Sequence, residues 1–273
     1  MLKSEADRLT RVIVCTPKEE YYQIDNLKAH NILEAANREK ALLQHHQLKE
    51  SLRAFGADVI DVPELTGHPN SVFTRDTTIC TPGGYIKLLP GIDTREAEGR
   101  WMASVLDEIG EPCAGEIVAP GTVDGGDVVL FGDTAFIGHT QRTNGDGIRQ
   151  LSDVLTAMGY NIKTVPLPET ILHLDKVLMP ISPAKLLVCS NVVPDSELQG
   201  FDIIKIRYGE GTTANIICLG DGELIVGDTN TEVIHRLRDE GLTLHLHDIS
   251  EFAKGAGGPN CLIMPVVRES TTL

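Results

Sequence analysis

The stretch Ile148-Arg-Gln-Leu-Ser-Asp-Val-Leu-Thr-Ala-Met-Gly-Tyr-Asn-Ile-Lys-Thr-Val-Pro166 carries two patterns joined at Gly159. Before the glycine, Ile148, Leu151, Leu155 and Met158 recur at the spacing of one helix face. Glycine just past such a face accepts the left-handed conformation that closes a helix. After it, Asn161–Pro166 reads as a short apolar strand. The spacing predicts a helix over 146–158 that turns at Gly159 and returns as a strand.

The same junction recurs along the chain. Helical patterns over 34–55, 94–109 and 230–240 are followed by Gly56, Gly110 and Gly241. The strands expected after them are Ala57–Pro63, Glu116–Pro120 and Leu242–His247. A fifth strand, Phe201–Ile206, follows Pro194–Gly200, which has room for only a short helix. Beyond the strands stand polar groups: Asn70 and Asp76, Asp124 and Asp127, His173 and Asp175, Asn215, and finally Cys261.

Each of the first four clusters is followed by a hairpin signal, two runs of four or five residues around a turn. The turns are Pro82-Gly83-Gly84, Gly132-Asp133, Ser182-Pro183 and Gly220-Asp221-Gly222. The fifth unit must combine Cys261–Val266 with Arg11–Thr16, joining the two ends of the chain. A circular array seals its edges in that way. The expected architecture is one α/β domain over 1–273, built from repeated units of ββαβ type, with no linker. Residues 17–31 break the periodicity. A loop this long is often functional, so it is expected to be either a lid or plain surface.

Composition narrows the partners. A net charge of −15 without a basic run argues against nucleic acid, and it is compatible with a cationic small molecule. No stretch reaches the ~18 apolar residues of a membrane span. The charged N-terminal residues do not read as a signal peptide. The six cysteines are scattered without a Cys-x-x-Cys pair, which predicts reduced thiols in a cytoplasmic protein. Apart from Cys261, they are expected to be buried and structural. A homo-oligomer is compatible with the sequence.

Singly, each polar group has a bland reading. Cys261, in Lys254-Gly-Ala-Gly-Gly-Pro-Asn-Cys261, can be a buried structural thiol. His173 in His173-Leu-Asp175 can be a satisfied core histidine, and Asp76 and Asp124 can be cap or turn aspartates. No metal is expected, because His173-x-Asp175 and His245-x-His247 lack further ligands at suitable spacing. Taken with the repeat, the groups converge. A thiol, an imidazole and carboxylates around one cavity suit nucleophilic attack on a planar guanidinium. Carboxylates grip its N–H groups, the thiolate attacks its carbon, and His173 protonates the departing amine and then activates water.

At these residues the chain resembles the guanidino-group-modifying enzymes of the pentein fold. Dimethylarginine dimethylaminohydrolases are the nearest group, with arginine deiminases close behind. The matching segments are Asn70–Thr77, Ala119–Asp127, Phe136–Asn144, Leu172–Asp175 and Gly257–Cys261, in family order. The resemblance implies a five-fold pseudosymmetric α/β propeller and a cofactor-free hydrolase of a small guanidino substrate. It implies Cys261 as nucleophile and His173 as general acid and base. Asp76 and Asp124 would hold the guanidinium, and Arg95 and Arg142 the substrate carboxylate. Phe73 would line the pocket, and Asn70 would stand near the α-amino end. Asp124 stands where the family usually has the longer glutamate, and Asn70 where the dimethylarginine enzymes have aspartate. Asp175 follows the deiminase pattern and would add a carboxylate that favours unmethylated arginine. The alternatives are an arginine dihydrolase giving ornithine, CO₂ and ammonia, an amidinotransferase, and a non-enzymatic pentein of the ribosome anti-association type.

Overall fold

Residues 2–270 are described by a computed structural model, in which the glycine junctions fall where the patterns change. Strand β1 (Arg8–Cys15) is followed, after a long loop, by α1 (Arg38–Phe55) and β2 (Asp58–Val62). Helix α1 starts later than the pattern suggested, because the Asn37 side chain accepts the Lys40 N–H and caps it there. It stops at Gly56, whose φ of 103° only glycine adopts easily. The next unit runs β3 (Thr78–Thr81), β4 (Gly84–Lys87), α2 (Glu96–Glu108), β5 (Cys113–Glu116). Then come β6 (Val128–Phe131), β7 (Thr134–His139), α3 (Gly145–Ala157) and β8 (Asn161–Pro166). The fourth unit is β9 (Leu178–Ser182), β10 (Lys185–Cys189) and β11 (Asp202–Ile206), with only a 3-10 turn at Asp195–Leu198 where the others have a helix. The chain ends with β12 (Ile217–Gly220), β13 (Glu223–Gly227), α4 (Thr231–Asp239), β14 (Thr243–His247), α5 (Ser250–Ala253) and β15 (Met264–Glu269).

These strands form five three-stranded sheets. In every sheet the middle strand is antiparallel to one neighbour and parallel to the other, so hairpin and crossover alternate as expected. The two ends of the chain do share a sheet: β15 pairs antiparallel with β1, which pairs parallel with β2. Strands β3, β6 and β12 are buried along their whole length, whereas β2, β5, β8, β11 and β14 expose part of theirs.

Two expectations fail at the outer strand β5. The apolar run Ile117-Val118-Ala119 lies just beyond it, because the pairing is set by Tyr85 opposite Cys113. Val118 is 51% exposed. Cys113 is exposed too, so it is not one of the buried structural thiols.

A 3-10 turn precedes most of the inner strands: Thr74–Asp76 before β3, Gly125–Asp127 before β6, Leu174–Lys176 before β9 and Pro259–Leu262 before β15. Hydrogen bonds near these turns tie successive units together. Gly126 N–H donates to Asp76 Oδ1 (3.1 Å), Leu174 N–H to Asp127 Oδ1 (3.0 Å), Ala214 N–H to the Lys176 carbonyl (2.7 Å), and Asn260 N–H to Asn215 Oδ1 (3.0 Å).

Behind the turns, the N-terminal segment inserts Glu5 against Arg75, Oε1 to Nη2 at 2.6 Å, with both side chains buried. Removing one partner of a buried pair leaves the other charge without compensation. Arg75→Met is therefore expected to lower the unfolding free energy by about 3–5 kcal/mol, read from urea denaturation. Adding Glu5→Gln should recover part of the loss.

Candidate active site

Cys261 sits in the last of these turns. Its Sγ receives the Gly258 N–H at 3.2 Å and the Asn215 Nδ2 at 3.5 Å. A Cβ at Gly257 would lie 2.3 Å from the Phe73 ring, and one at Gly258 would lie 2.2 Å from Asn215 Oδ1. The glycine run therefore lets the thiol loop pack directly on both side chains. Burial first, then the Asp175 carboxylate, pushes the thiol up to about 12, against the pull of Lys176. At neutral pH the sulfur therefore keeps its proton.

His173 lies between two acids. Its Nε2 is 3.0 Å from Asp124 Oδ2 and its Nδ1 is 3.8 Å from Asp76 Oδ1. The ring fits there because position 126 is glycine; a Cβ would come within 2.8 Å of Nδ1. Burial pulls the imidazole down, but Asp76, Asp124 and Asp127 outweigh it and hold it up at about 9. Asp76 is pushed up by burial and pulled down more strongly by His173 and Arg95, to about 2. The pair is thus an imidazolium beside a carboxylate.

The pocket is a small cleft with about 310 Å³ of space between its atoms, part of it open to solvent. Seven of the nine expected site residues line it: Asn70, Phe73, Asp76, Arg95, Arg142, His173 and Cys261. Asp124 and Asp175 do not. Asp124 is fully buried one layer back, accepting from Gly91 N–H (2.7 Å) and His173 and standing 3.4 Å from Arg142 Nη1. Asp175 accepts from Asn260 Nδ2 (3.0 Å) and is also fully buried.

Arg95 lines the pocket, but its donors already have partners. Its Nη1 lies 2.5 Å from Asp76, its Nε meets Glu98 at 2.8 Å, and its Nη2 reaches the Phe73 carbonyl at 3.0 Å. Arg142 is the guanidinium with fewer partners. Its one side-chain bond in the structure is to Asp124.

Sequence reasoning missed several contributors. Asn31 and Leu172 also line the pocket, and Glu98 anchors Arg95 from three residues along. The 17–31 loop reaches the site: Asn70 Nδ2 donates to the His30 carbonyl at 3.0 Å, and Tyr21 stacks on Phe252 and meets Phe73 edge-on. Ligand atoms of Asp76, Asp124 and His173 also lie within 4.8 Å of one another, a cluster that no local spacing announces. Arg95 and Arg142 already stand against the two carboxylates, so a resident cation would have to displace them.

The family model described as "N,N dimethylarginine dimethylhydrolase, eukaryotic" matches residues 16–268. The chain belongs to the dimethylarginine dimethylaminohydrolase family. It is 33% identical over 225 residues to the N(G),N(G)-dimethylarginine dimethylaminohydrolase of Pseudomonas aeruginosa, covering 82% of this chain and 87% of that one. The solved Pseudomonas aeruginosa enzyme, a cysteine-to-serine mutant complexed with citrulline, superposes with a TM-score of 0.82 at 27% identity, covering 94% and 99% of the two chains. The N-terminal domain of a cyanobacterial arginine dihydrolase superposes with a TM-score of 0.83 at 18% identity, over 94% and 98% of the chains, a likeness of fold alone. Members of this family hydrolyse guanidino C–N bonds, and the chain is a hydrolase of that class. Among the described residues, no helix is long and apolar enough to cross a membrane.

The charge pattern can be titrated. His173 is raised from 6.5 to about 9, so its contribution to stability is full below pH 6.5 and lost as pH rises through about 9. NMR of the labelled imidazole should find the midpoint near about 9 in the free enzyme. Asp76→Asn, which removes the largest raising charge, should bring the midpoint down.

Proposed function

We propose that this chain hydrolyses the guanidinium group of arginine or methylated arginine through a covalent thiouronium adduct on Cys261, without a cofactor. One observation carries the reading. A thiol, an imidazolium and an ionised carboxylate line one pocket, each from a different unit of the fold.

Asp76 receives the guanidinium N–H groups, and Arg142 takes the substrate carboxylate. Arg95 acts mainly by holding Asp76, since its own donors are engaged. Asp124 keeps His173 in place from behind the ring. The incoming cation favours loss of the Cys261 proton to solvent, since His173 already carries one and a positive charge near sulfur stabilises thiolate. The sulfur then adds to the guanidinium carbon. The carbon–nitrogen bond breaks as His173 gives its proton to the leaving amine. Water, deprotonated by His173, attacks the adduct. The carbon–sulfur bond breaks, citrulline forms and the thiol is restored.

The substrate reading shifts with the geometry. An added carboxylate at Asp175 is an argument for unmethylated arginine only if it reaches the guanidinium. Asp175 is bonded to Asn260 and does not line the pocket. The similarity to dimethylarginine enzymes therefore makes dimethylarginine the first substrate to test. Asn70, whose side chain lines the pocket, supports a second reading, the dihydrolase, because the arginine dihydrolases that the chain resembles also carry asparagine there. The whole chain, 1–273, is read as one catalytic domain whose five units close as a propeller. Its six free cysteines suit a reducing, cytoplasmic setting.

Incubation with arginine and with dimethylarginine, with products identified by mass, tests these readings. Citrulline with ammonia or dimethylamine is expected, and ornithine with CO₂ would select the dihydrolase. Cys261→Ser should reduce turnover to background, and His173→Gln should cost about 10²–10⁴-fold. Full activity in Cys261→Ser, or no turnover of any guanidino compound, would sink the proposal.

A further inference from the structure

The fourth unit gives the site no acid, base or thiol. Its one polar group at the centre is Asn215, a buried side chain in the segment before β12. Its contacts leave one orientation open. The Asn260 backbone N–H can only donate, and it meets Oδ1 at 3.0 Å. The amide's other end, Nδ2, is thereby turned to Cys261 Sγ at 3.5 Å. The approach is close because residue 258 has no Cβ.

We propose that Asn215 and the Gly258 N–H form a two-donor cradle that holds the Cys261 sulfur and stabilises it as thiolate. The inference rests on the reading of Cys261 as nucleophile. An amide N–H₂ has hydrogens to give and no lone pair to offer a thiol proton. It therefore favours the anion over the protonated sulfur, as hydrogen bonds to a charged acceptor do. The second donor matters because the surroundings oppose charge on sulfur. Cys261 is buried and has the Asp175 and Asp76 carboxylates in its neighbourhood. Substrate supplies a positive charge on one side, while Gly258 and Asn215 supply fixed dipoles on the protein side. Asn215 also braces the loop through Asn260, whose own side chain holds Asp175. It is thus a group of the reaction contributed by the unit that lacks a regular helix.

The test is the pH dependence of alkylation of Cys261 by iodoacetamide in the full-length protein. It is followed by the mass of the peptide carrying Cys261, because Cys113 is exposed and reacts on its own account. Asn215→Asp keeps the shape and the acceptor for Asn260 N–H but loses the donor and adds a negative charge beside the sulfur. Asn215→Ala loses both, and thermal melting of each variant reports folding. The expected result is an alkylation midpoint raised by about one pH unit or more in Asn215→Asp, with about tenfold less reactive sulfur at a given pH below it. A smaller rise is expected in Asn215→Ala, and in both kcat should fall more than KM changes. An unchanged midpoint in folded Asn215→Ala, which adds no charge, overturns the cradle, whatever happens to turnover. If that variant fails to fold, an unchanged midpoint in Asn215→Asp overturns it, because the lost donor and the added charge both act to raise that midpoint. Turnover in Cys261→Ser is measured separately. Activity there would refute the nucleophile itself, a result the Asn215 variants cannot mimic.

Discussion

Everything at the centre of this fold depends on how its units are tied together. Buried polar groups in a low-dielectric interior must find partners. Here the partners lie across unit boundaries. Asp76 accepts a backbone N–H from the second unit, Asp127 one from the third, and Asn215 one from the fifth. The tie from the third unit to the fourth is purely backbone. Asp76 and Asn215 therefore both brace the structure and face the chemistry, and substitutions there act on both. Asp127 shows the structural half alone. It is bonded to Thr140, Thr143 and Leu174 N–H, and burial lifts its carboxyl to about 7.

The electrostatics follow from the same crowding. Asp76, Asp124, His173, Arg95 and Arg142 form one connected, buried set of opposite charges. The acids raise His173, while His173 and Arg95 lower Asp76. Cys261, held up by burial and by the Asp175 carboxylate, is left protonated until a positive charge arrives. A resting site that holds its nucleophile as thiol is protected from adventitious alkylation and oxidation, since thiolate is the reactive form. The arriving guanidinium is then part of the machinery as well as the substrate.

The sequence read differently in different places, for identifiable reasons. Helices α1 to α4 and the closure of β15 on β1 were legible because periodicity, glycine C-caps and hairpin turns are local signals. Strand β5 was misplaced, since an outer strand need not be apolar and the Ile117-Val118-Ala119 run beside it is partly exposed. Cys113 belonged to the same error. The polar positions around the pocket were legible as a set, yet which of them reach it was not. The Asp124 carboxylate stands behind His173 and outside the pocket, a placement that its position in the chain does not reveal.

By itself, the sequence determined the repeat, its five strand–turn–strand units, and the chemical inventory of thiol, imidazole, acids and guanidinium groups that those units bring together. These properties are written in spacing and residue type along the chain. Only the tertiary structure decided the assignments within the inventory: Arg95 committed to Asp76 and Glu98, Asp175 held by Asn260, and Asn215 turned to the sulfur. Each is a competition among groups tens of residues apart for the same few hydrogen-bonding positions. Distances of 2.5 to 3.5 Å settle it, and no local pattern encodes them.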